Sequence, residues 1–238
     1  AAGITLDQLP YWKEGTLDKY VPSGDYVVVK FARWAFEKFH GSYDKLGTQM
    51  RAVGEVMSIG KNYKEAFQKA IRSLENKCYG LGFFKGYDTW TKEALVEAVR
   101  TPCSTRQFML YEAIRKGATT DELFEATKIN RWFLNQMKEL VELEEKILEY
   151  KGEIPPKDLL VQAKKDGFSD RYLAKILDIK EDEVREAREA DGMEESWFAV
   201  PVSGVKDACY YYSTYNAKND TNVSPKDKIM VLGGGPNR

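Results

Sequence analysis

The sequence predicts an α+β fold in which a mixed segment precedes an all-α helical domain. Residues 1–80 combine runs of β-branched and aromatic residues with one helical pattern, whereas residues 88–192 show helical periodicity almost throughout. Between them, residues 81–87 lie in a glycine-rich stretch that is typical of a linker. Residues 193–238 are predicted to form a connector, in which 199–204 are extended or loop-like and which ends in a short apolar run.

The composition narrows the classes of protein to which the chain can belong. Of its 238 residues, 43% are hydrophobic and 31% are charged, so the chain can bury a core and does not have a disordered composition. The net charge of -1 and the isoelectric point of about 6.1 argue against a general nucleic-acid-binding protein. No apolar run approaches the roughly 20 residues that span a bilayer, so we expect no membrane partner.

Residues that carry metal or nucleophilic chemistry are sparse. The cysteines Cys78, Cys103 and Cys209 have unrelated spacings, which favours free thiols in a reducing cytoplasm. The single histidine, His40, has no partners arranged around it for a zinc site or a Ser-His-Asp triad. Acidic residues fall mostly on presumed helix surfaces, and no isolated carboxylate pair suggests acid–base catalysis. We therefore expect no catalytic residue, cofactor or metal in this chain.

The first region contains predicted strands and one predicted helix. Asp25–Phe31 is rich in valine and aromatic residues, which predicts a strand. Gly47–Gly60 alternates small and apolar residues around Gly54, which suggests strands or close backbone packing. Lys64–Leu74 places four apolar residues on one helical face. Glu55 interrupts the apolar stretch as either a satisfied structural group or the lining of a polar cavity, and the residues alone leave both open.

The clearest helix of the second region is predicted from Asn130 to Tyr150. Pro155 and Pro156 stop its pattern. One face carries acidic residues and the other is an apolar stripe. The stripe consists of Phe133, Met137, Leu140, Val141, Ile147 and Leu148.

The helical region also resembles itself at a shift of fifty residues. Each copy has a helix that ends at a glycine, Gly117 or Gly167, and then a Ser or Thr N-cap, Thr119 or Ser169. A short helix and a turn into another helix follow in both copies. This pattern predicts two helical units that pack as a pseudo-symmetric bundle. The match rests on few positions, so chance is the alternative.

A DNA-binding helix-turn-helix is one interpretation of Gly167–Ile179 and the next helix, Glu181–Asp191. The second helix of such a motif enters the major groove and meets phosphates. Here it carries six acidic residues against only Arg185 and Arg188, so the duplex would repel it. An acidic, solvated helix in a bundle is therefore favoured. A stand-alone helical interaction or helix-turn-helix DNA-binding protein stays as the alternative function.

The connector carries two features of interest. Four tyrosines in Cys209–Tyr215 either stack on bases or sugars or, as is commoner, pack the connector against a neighbouring domain. Ile229–Leu232 is predicted to be a strand that runs into Gly233–Gly235. This turn lacks the spacing of a P-loop or dinucleotide motif, so a tight strand-to-helix turn is favoured over a phosphate cradle. Since no residues remain for the following helix, we expect the domain that starts here to continue in a longer protein.

Several motifs share their order and spacing with one enzyme family. They are Asp25–Lys30, Phe36–Phe39, Leu46–Met57, Arg100–Pro102, Trp132–Leu134, Glu142–Glu144, Tyr212–Tyr215 and Gly233–Arg238. The chain resembles the large subunit of carbamoyl-phosphate synthase over nearly its whole length. It departs from the family at Ala32, where many relatives have proline, and between Val205 and Tyr210, where the connector is compressed.

The resemblance implies a domain organisation and an activity. Residues 1–80 would be the C-terminal part of the first ATP-grasp (carboxyphosphate) domain, and 81–87 a linker. Residues 88–200 would be the oligomerization domain. Residues 201–238 would be the connector and the first strand of the second, carbamoyl phosphate half. The family makes carbamoyl phosphate from bicarbonate, ammonia taken from glutamine, and two ATP, for arginine or pyrimidine biosynthesis.

The resemblance also implies cofactors and partners for the whole enzyme. These are ATP with Mg or Mn and K, a small glutaminase subunit, and further copies of the chain bound through the helical domain, in the cytoplasm and without nucleic acid. The nucleotide- and metal-binding residues of the first half would precede Ala1. We therefore expect this fragment to hold no cofactor and to be inactive alone.

One set of site residues follows from the resemblance. In the family an internal tunnel carries carbamate between the two active sites. The Met-x-x-x-Gly-Glu part of the matched motif is expected to contribute to the tunnel wall, which points to Met50, Gly54 and Glu55. The resemblance thus favours the polar-cavity interpretation of Glu55.

Overall fold

A computed structural model describes residues 3–10, 15–19, 25–34, 36, 41–200, 210–221, 223–231 and 233. Within these residues the chain forms eight α-helices and two small antiparallel sheets, so the α+β class is confirmed. The helices are α1 Tyr63–Ser73, α2 Lys92–Ala98, α3 Arg106–Arg115, α4 Thr120–Thr127, α5 Arg131–Leu148, α6 Lys157–Lys165, α7 Asp170–Leu177 and α8 Glu181–Ala190. The strands are β1 Val27–Trp34, β2 Ala52–Gly60, β3 Ser196–Val200 and β4 Tyr210–Thr214.

The first sheet pairs β1 with β2 and packs one face on α1. Val28 lies opposite Ile59 and Lys30 opposite Met57. Because side chains alternate along a strand, these residues share the outer face, and Val29 and Phe31 lie on the inner face. Phe31 on the inner face packs against Phe67 of α1, with ring centroids 6.1 Å apart. The predicted strand over Asp25–Phe31 and the predicted helix over Lys64–Leu74 are therefore confirmed to within three residues.

One hydrophobic core joins α1 to the helical region. Ile71 of α1 is fully buried, and it shares its cluster with residues from α2 to α8. The stretch predicted to be a linker, 81–87, takes part in this core, because Leu81 is 1% exposed. A Cβ atom on the neighbouring Gly80 would lie 2.5 Å from the ring of Tyr172. These glycines serve close packing, and a domain boundary at 81–87 stays a prediction.

The fifty-residue repeat is a structural one. Helices α3, α4 and α5 recur as α6, α7 and α8 at that shift. Gly117 and Gly167 follow the first helix of each unit with φ values of 86° and 92°, which favour glycine. Thr119 and Ser169 then cap the second helix by accepting a backbone N–H from the third residue on. Because the N-caps and the glycine turns recur in both units, the sequence match is not due to chance.

Helix α5 confirms the predicted helix and its stripe, with two exceptions. Asn130 is its N-cap and accepts a hydrogen bond from the backbone N–H of Trp132. Phe133, predicted to lie in the stripe, is 44% exposed, whereas Leu134 beside it is buried. Glu144, which was assigned to neither the stripe nor the charged face, is fully buried. The stripe is thus shifted by one residue at its start and contains an acid further along.

The end of the chain contains a strand where the residue pattern predicted a connector, and its described part lacks a strand that was predicted. Ser196–Val200 forms strand β3, which pairs with β4 through Phe198 opposite Tyr212. The predicted strand at Ile229–Leu232 does not form in the described part, where Ile229 and Val231 are 92% and 86% exposed. A strand needs a hydrogen-bonding neighbour, and the described residues provide none there. Leu232 and the motif from 234 to 238 lie outside the described residues, as do His40 and Cys209.

Candidate functional site

The residues predicted to line a tunnel lie in strand β2 or just before it, and only Glu55 is on the outer face of the first sheet. Met50 precedes β2 and is 85% exposed. Gly54 faces open space, with no atom within 4 Å of a Cβ built on it. Glu55 forms an ion pair with Lys30 on the neighbouring strand. Gly54 and Glu55 are adjacent, while Met50 lines a separate cleft of about 610 Å³ with Tyr43 and other residues.

The surroundings of these residues are apolar. On the outer face of the sheet, Val28, Val53 and Met57 are 46%, 54% and 59% exposed. Exposed apolar side chains that adjoin each other indicate a surface that another part of a protein covers. Enclosure of the three residues is left as a prediction, because the described residues cover only one side.

The chain buries an ionic cluster that the sequence analysis missed. Glu112, Glu144 and Arg115 form it, and both glutamate side chains are fully buried. Glu144 accepts hydrogen bonds from the hydroxyls of Tyr111 at 2.7 Å and Tyr172 at 2.9 Å, and also from the Arg115 guanidinium. Arg115 donates in addition to Glu112 at 3.0 Å. The cluster joins α3, α5 and α7.

Burial and pairing set the protonation states in this cluster. Burial, reinforced by the negative charge of Glu144, raises the pKa of Tyr111 and that of Tyr172 well above the ordinary value. Burial opposes the charge of Arg115, but Glu144 and Glu112 outweigh it and raise the pKa of this guanidinium. Arg115 is therefore charged and both tyrosines are hydrogen-bond donors at neutral pH. With every group paired, this arrangement stabilises structure and leaves no free base for catalysis.

The ionic cluster also holds the glycine-rich segment in place. The backbone N–H of Phe83 donates to Glu112 at 2.6 Å, and that of Gly82 donates to the Tyr172 hydroxyl at 3.0 Å. Arg115 lies over the Phe83 ring, 4.5 Å from its centroid. A Cβ on Gly82 would lie 2.5 Å from Glu144 Oε1. The segment that leaves α1 is therefore fixed to the helical bundle.

A second group of ionic residues holds the end of the connector. Asp170 of α7 pairs with Lys164 at 2.5 Å and with Arg188 at 2.9 Å. Both cations face the ring of Tyr215, at 4.8 Å and 5.9 Å from its centroid. Tyr212, in the preceding strand, is 6% exposed. The tyrosine run therefore packs the connector against its neighbour, as the commoner interpretation predicted.

The second helix of the helix-turn-helix interpretation forms as α8. Val184 is its buried residue, and Glu181, Asp182 and Glu186 are exposed. Arg188, one of its two basic residues, forms an ion pair with Asp170 on α7. A helix with an exposed acidic face and a neutralised base presents no surface for phosphates.

The described residues contain neither a cluster of metal ligands nor a membrane-spanning helix. Among the residues that the structure describes, no three histidines, cysteines or carboxylates cluster as metal ligands. Cys78 and Cys103 are free thiols, and burial raises the pKa of Cys78 to about 11, so its reactive thiolate form is scarce. No described helix is long and apolar enough to cross a bilayer.

Comparison with known proteins places these features in a family. The family described as "Carbamoyl-phosphate synthetase large chain, oligomerisation domain" matches residues 55–192, which is more than half of the chain. The matched range begins within β2 and ends just after α8, so it contains both helical units and the buried ionic cluster. The chain belongs to this carbamoyl-phosphate synthetase family.

Individual carbamoyl-phosphate synthetase large chains extend the match to the whole sequence. The "Carbamoyl phosphate synthase large chain" of Archaeoglobus fulgidus is 42% identical over 247 residues, and that of Thermotoga neapolitana is 40% identical over 249. The "Carbamoyl phosphate synthase arginine-specific large chain, chloroplastic" of Arabidopsis thaliana is 39% identical over 243 residues. These alignments cover all of this chain but only 23%, 21% and 20% of the relatives. The chain therefore spans about a fifth of their length, and nothing in the comparisons favours a DNA-binding protein.

Proposed function

We propose that this chain is the central part of a large subunit that makes carbamoyl phosphate from bicarbonate, ammonia and two ATP. The observation that carries the proposal is the alignment of the whole chain, near 40% identity, with large chains of this name. In this role the chain connects two catalytic halves and takes part in oligomerization. As a fragment of that subunit, it is inactive alone.

The finer domain organisation is part of the proposal. Residues 1–80 are the C-terminal part of the first ATP-grasp domain. The support for this assignment is the exposed outer face of the antiparallel pair β1–β2, whose inner face packs on α1. Residues 88–200 form the oligomerization domain after the segment 81–87. Residues 201–238 lead into the second half, where a sheet neighbour would complete the strand at Ile229–Leu232.

Cofactors and partners belong to the larger assembly. ATP, Mg or Mn, and K would bind to parts of the large subunit outside this chain, and ammonia would come from a small glutaminase subunit. Further copies of the subunit would associate through the helical domain, as the family description suggests. The free thiols Cys78 and Cys103 fit a reducing compartment such as the cytoplasm.

Met50, Gly54 and Glu55 are proposed to line the carbamate tunnel. The apolar outer face of the sheet, with its ion pair between Glu55 and Lys30, supports the role of Glu55. Met50 and Gly54 are included because they belong to the same sequence motif. A labile anion is best shielded by a wall with few waters and no stray acid or base. The pairing with Lys30 keeps the Glu55 charge balanced in such a wall.

Replacement of Glu55 by alanine in the full-length large subunit tests both the function and the tunnel. We expect more ATP to be consumed per carbamoyl phosphate formed, because loss of the carboxylate leaves Lys30 unpaired and opens the wall to water. The control is Glu142→Ala on α5, whose contact with Lys138 is long and exposed. An unchanged ratio in Glu55→Ala contradicts the tunnel role, and a wild-type protein without product contradicts the function.

A further inference from the structure

Glu65 is a buried carboxylate at the start of α1 that no part of the proposed function uses. Its residue is 1% exposed. Asn62, the N-cap of α1, accepts the backbone N–H of Glu65 at 2.8 Å. In return, Glu65 Oε2 accepts the backbone N–H of Lys61 at 2.9 Å. This reciprocal cap fixes the turn from β2 into α1.

The same carboxylate binds the connector from the far end of the chain. Its Oε2 accepts hydrogen bonds from Thr214 Oγ1 at 3.1 Å and from Asn216 Nδ2 at 3.0 Å. Its Oε1 pairs with Lys69 Nζ at 2.8 Å, and Lys69 also donates to the backbone carbonyls of Ile59 and Ser213. Glu65 and Lys69 therefore join β2 and α1 to β4. Glu65 and its partners Thr214 and Asn216 lie about 150 positions apart in the sequence.

The helical bundle meets the same point. Asn216 Nδ2 donates to the carbonyl of Lys165 at the end of α6 at 2.7 Å. A Cβ on Gly167 would lie 2.9 Å from Glu65 Cα, and one on Gly60 would lie 2.8 Å from the backbone nitrogen of Ala66. The backbone around Glu65 is thus packed so closely that neither glycine could carry a side chain without a shift of its neighbours.

We propose that Glu65 is a positioning residue that fixes the connector to the first half and thereby sets the geometry between the two catalytic halves. This inference rests on the proposed function. Both of its oxygens face donors only, so the site requires a carboxylate. An amide at this position would direct its NH₂ group at a donor in both of its orientations. In one orientation that donor is Lys69, and in the other the donors are those of Lys61, Thr214 and Asn216. A relay of labile intermediates between halves depends on that geometry, since displacements near 1 Å lower rates strongly.

The test uses Glu65→Gln and the milder Thr214→Val in the full-length large subunit with its glutaminase subunit. Thr214→Val removes one donor to Glu65, and with it the acceptor of the Asn216 backbone N–H, at almost constant volume. The matched control is Glu139→Gln, which removes an exposed ion pair between α5 and Lys64 of α1. Hydrogen exchange of residues 210–216 reports the docking of the connector. ATP consumed per carbamoyl phosphate reports the coupling of the halves.

We expect exchange of residues 210–216 to rise about tenfold in both variants, because each loses a hydrogen bond to a charged group. We expect the ATP ratio to rise at least about twofold while each half keeps its own reaction. These reactions are bicarbonate-dependent ATP hydrolysis and ATP formation from ADP and carbamoyl phosphate. Retention of both partial reactions separates a positioning role from general loss of structure, and the control should change neither readout.

Three results decide the matter. Unchanged exchange and an unchanged ATP ratio in an active protein overturn the inference and leave the proposed function intact. A wild-type protein that forms no carbamoyl phosphate overturns the proposed function and the coupling role with it. If Glu65→Gln loses both partial reactions, Thr214→Val decides, and a normal ATP ratio in that variant overturns the inference.

Discussion

At the scale of single residues, the buried glutamates determine how the helices meet. Glu144 satisfies three donors from two other helices, so its charge is compensated on every side. Breaking a buried pair by removing one partner leaves an uncompensated charge, which costs far more than the pair itself contributes. Glu144 should therefore be among the residues least tolerant of substitution.

Glu144→Ala tests this expectation. We predict a loss of about 3–5 kcal/mol in the free energy of unfolding, because Arg115 and two buried hydroxyls lose their acceptor. Urea unfolding followed by circular dichroism measures it. Glu142→Ala, two positions away and exposed, should change stability by less than about 0.5 kcal/mol. Similar losses in the two variants would show that the cluster contributes little.

The spacing of apolar residues along α5 indicates that Glu144 is buried, although the sequence analysis did not include it in the apolar stripe. Met137, Leu140, Glu144 and Ile147 recur at spacings of three and four, so the glutamate lies within the apolar stripe. An acid in a stripe predicts a buried, paired charge. Glu65 gave no comparable signal, because its partners on β4 are about 150 residues away. Contacts of that separation depend on the tertiary fold, which local patterns do not encode.

At the scale of elements, local rules predicted the helices better than the strands. N-caps, glycine turns and prolines act within a few residues, so α4, α5 and α7 begin where the sequence indicates. Strand β3 was missed because it exists only through its pairing with β4. The same dependence explains why Ile229–Leu232 is not a strand in the described residues.

The docking of the β3–β4 hairpin should depend on alkaline pH. Burial raises the pKa of Tyr212 and that of Tyr215 to about 12. The hydroxyl of Tyr212 is buried without a hydrogen-bond partner in the described part of the chain. A tyrosine in the unfolded chain ionises near pH 10. The stabilisation is therefore complete below about pH 10 and is lost as the pH rises from 10 towards 12.

Urea unfolding at pH 9 and pH 11 measures this dependence. Tyr215→Phe, which removes one of the shifted hydroxyls, should show a smaller decrease in the free energy of unfolding between the two pH values than the wild type. The exposed Tyr210 on the same strand provides the control, and Tyr210→Phe should leave the decrease unchanged. Equal decreases in all three proteins would contradict the assignment.

At the scale of the whole molecule, exposed apolar surface indicates contacts beyond the chain. Besides the outer face of the first sheet, Trp132 and Phe133 at the start of α5 are 51% and 44% exposed. A soluble monomer rarely leaves such patches uncovered. No pattern in the sequence identifies which patch meets a second copy, because exposure depends on how the elements pack.

Self-association of the chain is the corresponding prediction. Sedimentation velocity over a range of concentrations should give an average mass that rises above 27.2 kDa, the mass of one chain. Association driven by apolar burial should persist in moderate salt, unlike association between charged surfaces. A constant monomer mass up to high micromolar concentrations would show that oligomerization requires parts of the large subunit outside this chain.

The contact between Glu65 and Thr214 has a consequence for how such a protein can change during evolution. The polypeptide enters the helical body after β2 and returns to the same point in β4, with the two places joined by a hydrogen bond of 3.1 Å. Segments whose ends lie together can be inserted, exchanged or shortened with little disturbance to their host. The bundle of α2 to α8 therefore has the adjacent ends of an insertion, but any body that replaced it would also have to fill the hydrophobic core that it shares with α1.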